Sequence, residues 1–395
     1  MQKRAVDSPI IVQPAVLPIR QCRAIVAIPA RNEADRISRC LSALAVQRDR
    51  LGTPIAAGDF GVLVLVNNTM DQTARTAREL AAALPYPLEV LEVQLSQNAT
   101  AGGARRRAMQ EARERLTTVA GESILLTTDA DSVVTPSWFA DNMSYLADGA
   151  DCVAGYIDAE PGEIVSHGAA FLARGRLEDS YLRLVAEIYA LCDPRPHDPW
   201  PNHRVSSGAS LAVTLAAYDA IGGMPDLALG EDGAFTELLD QSGFKVRHAL
   251  DVSVLTSCRL DGRAAGGAAD TMRHRRDEPD APCDAELETA LATLRRAAYC
   301  GFLRKAFGEN AVSVAINRLS GAIGFRNAPD VTFSDIWTDL EFRHPKLQRR
   351  TQLRPSDLPR EIAAATFILR HLRSRSKSAR ADRYLRAALP ASVDA

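Results

Sequence analysis

The 395-residue chain lacks a dominant charge: 47 Lys and Arg stand against 49 Asp and Glu, a formal net charge of -2. That balance supplies no global basic field of the kind a nucleic-acid polymer requires. Its seven cysteines (Cys22, Cys40, Cys152, Cys192, Cys258, Cys283 and Cys300) include no pair at zinc-binding spacing. An odd, dispersed set reads as reduced thiols and implies a cytoplasmic setting. No uninterrupted apolar run reaches transmembrane length, and residues 1–20 hold basic side chains and prolines without the apolar core of a signal peptide. No internal repeat or low-complexity tract interrupts the chain. A soluble, cytoplasmic protein is expected, large enough for one big domain with accessory elements or for two domains.

Two phosphate-binding signatures are also missing. The first apolar run, Ala24–Pro29, is followed by Ala30-Arg31-Asn32-Glu33, not by the Gly-rich turn of a dinucleotide-binding unit. Gly102-Gly103 comes much later and does not fit G-x-G-x-x-G, and a Walker-type loop is absent. Ser207-Gly208-Ala209-Ser210 is followed by Leu211-Ala212, which excludes a nucleophile elbow.

What is present is an alternation of short apolar runs and helical patterns. Ala24–Pro29, Phe60–Val66, Leu88–Leu95 and Ile124–Thr128 read as strands. Helical patterns carrying Ile37, Leu41 and Leu44, then an Ala/Arg/Leu segment to about Leu84, then the segment opened by Gly102-Gly103, lie between them. Such β-α-β alternation with short connections predicts an α/β fold, a doubly wound, mainly parallel sheet with helices on both faces. Asp151–Ile157 is a further strand, Ile164–Leu191 a helical insertion ending in a Pro-rich loop, and Val252–Thr256 the last strand. The expected organisation is an arm over 1–22, a catalytic domain over 23–263 with an insertion over 157–205, a linker over 264–283, and a helical C-terminal extension over 284–395. That extension carries no recognisable chemistry; it is expected to cover the sheet, shape the acceptor pocket or mediate a homodimer.

The chemistry concentrates where Ile124–Thr128 ends in Asp129-Ala130-Asp131. Strand ends at the carboxyl edge of an open α/β sheet are where ligands bind. Thr135-Pro136 then reads as a cap and first turn, so both acids belong to a tight strand-to-helix loop. Two carboxylates one residue apart repel unless a cation or proton shares them. Mg²⁺ or Mn²⁺ suits them, because such an ion takes few protein oxygens and completes its shell with phosphate and water. The alternative for an Asp-x-Asp pair alone is a solvated acidic turn.

Taken in order, Ile28-Pro29-Ala30-Arg31-Asn32-Glu33, Val66-Asn67-Asn68-Thr69-Met70-Asp71, Asp129-Ala130-Asp131 and Gly230-Glu231-Asp232 resemble the motifs of family 2 glycosyltransferases of the GT-A fold, bacterial-type and non-processive. The likeness covers about Arg23 to Arg263. It implies a nucleotide-sugar donor, UDP- or GDP-linked, with Pro29, Arg31 and Glu33 bordering base and ribose and Asn68 near the base. Asp129 and Asp131 would hold the divalent cation on the diphosphate, with Ala130 beside the donor. Asp232 would be the catalytic base of an inverting transfer and Glu231 its support or an acceptor contact. Glu231 and Asp232 also suit a helix N-terminus electrostatically, so a plain cap is the alternative.

The chain departs from the family pattern in two places. Asn67-Asn68 stands where Asp-Asp is usual, and Val254–Arg259 has no His where a further metal ligand often lies. Gln-x-x-Arg-Trp, the processive signature, is absent.

Remaining candidates come from local chemistry. Gly103 opens a helix whose free N–H groups suit a phosphate; Arg106 and Arg107 read as a solvated basic face. Arg259 and Arg263, in a Gly-rich stretch after the last strand, suit a diphosphate under a mobile loop. Arg273–Glu278 reads as a solvated charged segment. Trp200 and His203 in the Pro-rich loop, with Ser207 and Gly208 beyond it, are assigned to acceptor binding; the backbone at Ser207-Gly208 also suits close approach to the donor sugar. The acceptor is a small-molecule, lipid or glycan hydroxyl. A sugar-1-phosphate nucleotidyltransferase and a non-catalytic nucleotide-sugar-binding protein are the alternative functions.

Overall fold

The structure, a computed structural model, describes residues 18–116, 123–262, 266–309, 311–320, 331–348 and 352–388. Among them, strands β1 (Ala24–Ala30), β2 (Phe60–Asn67), β3 (Leu88–Val93), β4 (Ile124–Thr127), β5 (Val133–Val134), β6 (Cys152–Ala159), β7 (Leu211–Thr214) and β8 (Val246–Thr256) form one sheet. Their order is β3-β2-β1-β4-β7-β6-β8-β5. β3, β2, β1 and β4 run parallel, as do β6 and β8. β7 is antiparallel to both β4 and β6, and β5 to β8. The sheet is mainly parallel, as expected, with β7 as the reversal in its middle.

The helices of the first half are α1 (Ile37–Ala45), α2 (Thr73–Leu80), α3 (Ala101–Arg115), α4 (Trp138–Ala147), α5 (Pro161–Ile164) and α6 (Ala169–Cys192). Those of the second are α7 (Leu215–Ala220), α8 (Glu231–Gln241), α9 (Ala268–Asp277), α10 (Ala290–Gly308), α11 (Val312–Ser320), α12 (Phe333–Arg343) and α13 (Leu358–Ala388). Continuous apolar sequence in the central strands reflects burial on two faces. Val26, Ile28, Val62 and Val64 pack under α1, α2 and α4 through Leu41, Ala77 and Phe139. Ile25, Ala27, Leu63 and Leu65 point the other way, onto Met109 of α3 and Phe235 and Leu239 of α8. Strand side chains alternate between faces, so one run feeds both layers.

Outside the sheet, α6 shares a core with α10 and α13 through Tyr181, Ile188, Ala297, Ala365 and Leu369. Insertion and C-terminal helices thus form one helical layer, extended by α11 and α12 through Leu303, Ile316, Ile336 and Leu340. No helix of the described residues is long and apolar enough to cross a membrane. All seven cysteines are unpaired thiols.

One local expectation needs correction. Thr135-Pro136 does not start the helix after β4. β5 intervenes, the Thr135 hydroxyl donates to Ser253 O at 3.1 Å, and α4 begins only after Ser137. Arg273–Glu278 is largely solvated, as expected, with His274, Arg276, Asp277 and Glu278 exposed, and it is helical. It belongs largely to α9, which buries Ala269, has Asp270 in its first turn and places His274, Arg275 and Arg276 in its last. That charge order matches the helix dipole.

Candidate active site

The carboxyl ends of β1, β2 and β4 open onto a cleft of about 620 Å³, within the range of small-molecule sites. Pro29, Ala30, Arg31 and Glu33 line it from the β1 turn, Asn67 from the end of β2, and Asp129, Ala130 and Asp131 from the end of β4. Ser207 and Ala209 precede β7, and Ser257, Cys258 and Arg259 follow β8. Ala268, Ala269, Met272 and Arg275 close the far side from α9.

The β1 turn is held open by its own polar residues. Asn32 takes the left-handed conformation (φ 53°), which Asn tolerates better than most side chains. Its N–H donates to Thr69 Oγ1, and its Oδ1 accepts from Met70 N at 2.9 Å. Glu33 N–H donates to Thr73 Oγ1 at 2.8 Å. These bonds pin the β1 turn to the β2 turn and leave Arg31 on the cleft wall. Asn68 is turned elsewhere. Its Nδ2 donates to Leu95 O and its Oδ1 accepts from Leu95 N, both at 3.1 Å. That amide extends the β2–β3 pairing, and Asn67 lines the cleft in its place.

Around the Asp-x-Asp pair, each acid meets an arginine. Arg105 Nη2 lies 2.6 Å from Asp129 Oδ1, and Arg259 Nη2 lies 3.1 Å from Asp131 Oδ2. Arg259 also grips both carboxylate oxygens of Glu33. Burial, then the neighbouring charge of Asp129, pushes Asp131 up to about 7, against the pull of Arg259. Arg259 itself is carried by a loop fixed from α5: Glu163 accepts from Ser257 Oγ and Cys258 N, both at 2.8 Å. The cation assigned from sequence to a mobile loop is therefore anchored. Arg263 lies outside the described residues.

Arg105 was not singled out by the sequence reading, yet its side chain is only 7% exposed. It donates to Glu231 Oε1 (3.0 Å), Thr127 Oγ1 (3.0 Å) and Gly208 O (2.8 Å) as well as Asp129. Burial opposes its charge; the fields of Asp129, Glu231 and Asp232 sustain it. The signal was present in the helical period: Arg105 shares a stripe with Ala108, Met109 and Ala112, all buried.

The Glu-Asp motif opens α8 after Gly230, which is left-handed (φ 73°). Glu231 is buried on Arg105, and burial raises its pKa against the pull of that arginine. It supports the arginine and does not line the cleft. Asp232 Oδ2 accepts from Gly208 N at 2.9 Å and Oδ1 from Gly233 N at 2.7 Å. Asp232 does not itself line the cleft; the Gly208 peptide joins it to the wall between Ser207 and Ala209.

Three other sequence candidates fall away from the cleft. Gly103 N–H donates to Thr100 Oγ1 and Gly102 N–H to Ala228 O, so neither is left for a phosphate. A Cβ on Gly103 would stand 2.0 Å from Asn98 O, so this glycine serves close packing. His203 is buried with its ring edge-on to Tyr156 and His248. Burial, then His248, pushes its pKa down to about 4. Trp200 is 39% exposed and does not line the cleft.

Residues 25–178, from β1 into α6, match the model of glycosyl transferase family 2. The chain carries a family 2 glycosyltransferase domain. No curated protein matches it by sequence. Among solved structures, this glycosyltransferase is similar to the mannosyltransferase PcManGT from Pyrobaculum calidifontis, in complex with GDP-Man and Mn²⁺. Identity is 17%, coverage 90% of each chain and the TM-score 0.47. It is also similar to S. aureus TarS 1-349 in complex with UDP-GlcNAc, at 16% identity, 75% and 72% coverage and a TM-score of 0.43.

Proposed function

We propose that the cleft transfers a sugar from a nucleotide-sugar donor to an acceptor hydroxyl with inversion. In this reading Asp129 and Asp131 hold a divalent cation, Mg²⁺ or Mn²⁺, and Asp232 is the base. One observation carries it: the β1 turn, the Asp-x-Asp pair and the segment bonded to Asp232 surround one cleft at the sheet's carboxyl edge. The donor set suits a hard divalent ion, since Asp129 and Asp131 present carboxylate oxygens to one cleft from the same strand end. Among the described residues no group of three or more His, Cys, Asp or Glu is placed to hold a metal ion by itself, so phosphate and water would complete the shell. When bound, the ion would offset charge developing on the departing diphosphate.

The chain's own groups then divide the work. Arg31, whose Nη1 reaches Ala99 O at 3.4 Å, borders the nucleoside half with Pro29. Asp232 takes the acceptor proton as the acceptor oxygen bonds to the anomeric carbon. The bond from that carbon to the diphosphate oxygen breaks, and the nucleoside diphosphate leaves. Met272 and Arg275 of α9, beside Ile157 and Asp158, form the wall offered to the acceptor. A screen of UDP- and GDP-linked sugars for nucleoside diphosphate release tests this function. Release stimulated by an acceptor supports it; no release from any donor contradicts it.

A further inference from the structure

Arg105 is a buried cation that no part of the transfer chemistry has claimed. Its guanidinium fans onto four acceptors from three stretches of chain: Thr127 and Asp129 at the end of β4, Gly208 O before β7, and Glu231 at the start of α8. The Gly208 peptide carries the contact onward, because its own N–H donates to Asp232 Oδ2 at 2.9 Å. The fit leaves no slack: a Cβ on Gly208 would lie 2.1 Å from Arg105 Cζ and Nε. A planar fork with five donors can hold such a divergent set; a lysine ammonium cannot.

We infer that Arg105 is a positioning residue that locks the donor-side carboxylate Asp129 and the acceptor-side carboxylate Asp232 into one frame through Gly208. This rests on the transfer reading for the roles of the two acids, but the linkage itself is a property of the fold. Reacting groups held a fraction of an ångström out of place lose rate more than binding. Arg105 reaches the cleft beside Asp129 and is joined to Asp232 through the Gly208 peptide, so it sets where the two acids meet.

The test is a double-mutant cycle of Arg105→Lys and Asp232→Asn, with Gly208→Ala as an independent perturbation. Arg105→Lys keeps a buried cation against Asp129 and Glu231 and so avoids an unpaired buried charge. It is expected to lower kcat by about 10- to 100-fold while the donor KM moves less than about threefold. Gly208→Ala, which keeps every charge, is expected to show the same split. In the Asp232→Asn background, Arg105→Lys should cost less than about threefold more, as for residues acting as one unit. Full kcat in Arg105→Lys, a loss confined to KM, or losses that multiply in the double variant would overturn the inference. The same cycle read from thermal-unfolding midpoints separates two failures. Coupled midpoints in an enzyme that turns over no nucleotide sugar would sink the transfer reading and leave the linkage standing. Additive midpoints would sink the linkage.

Discussion

Arg259 Nη2 stands 3.1 Å from Asp131 Oδ2, so the second acid of the Asp-x-Asp pair meets a guanidinium anchored beyond the last strand. The arginine is shared with Glu33 and does not fully offset burial and Asp129, which together raise Asp131 to about 7. A carboxyl whose folded pKa exceeds its unfolded value near 3.8 binds more protons in the fold than in the unfolded chain between those two values. Its contribution to stability is therefore present at low pH and is lost as pH rises from about 4 through 7. The metal-free unfolding midpoint should carry this falling component, and Asp131→Asn should remove it. At pH 8 the variant is expected to melt above wild type, the gap closing toward pH 4. Scanning calorimetry in chelator measures both; a variant that melts lower at pH 8 contradicts the assignment.

Asp232→Asn removes proton uptake while leaving an oxygen to accept from Gly208 N. General-base catalysis is worth about 10²–10⁴-fold, so kcat should fall by that factor with nucleoside diphosphate affinity retained. Steady-state kinetics beside a binding titration checks this. Full turnover would return the Glu-Asp motif to a helix cap.

Gly103→Ala tests whether the start of α3 serves a phosphate or serves packing. The added methyl meets Asn98 O at 2.0 Å, where the backbone must give way. The gain from Ala over Gly in a helix, about 1 kcal/mol, is smaller than the usual overpacking cost of about 1–3 kcal/mol at a site this tight. Lower stability with an unchanged donor KM is expected from chemical denaturation and kinetics. A raised KM at unchanged stability would reinstate the phosphate contact.

Much of the fold could be read from the sequence because β1, β2 and β4 are buried on both faces and so appear as unbroken apolar runs. α9 could not. Its apolar side is Ala268, Ala269 and Met272 amid seven polar residues, too little to stand out from a charged loop. In the site, Asp129, Asp131, Pro29, Arg31, Glu33 and Arg259 reach one cleft because each ends or follows a strand at the same sheet edge. Asn68 and Asn67 exchange places because a left-handed backbone at Asn68 (φ 46°) turns its amide toward Leu95, which local sequence does not encode. His203 looked like a loop residue beside prolines, yet the same loop tucks it against β6 and β8. Arg105 was hidden by its neighbours: in a run of three arginines, the residue on the buried stripe is distinguished only by helical phase.

The central claim is that Asp129 and Asp131 grip a divalent ion on the donor diphosphate, and isothermal titration tests it most directly. UDP and GDP are titrated into wild type, Asp129→Asn and Asp131→Asn, each with Mn²⁺ and with chelator. One of the two nucleotides is expected to bind wild type at least about tenfold more tightly with Mn²⁺, and both variants are expected to abolish the difference. Equal affinity with and without Mn²⁺ in wild type, or an undiminished Mn²⁺ effect in the variants, would contradict it.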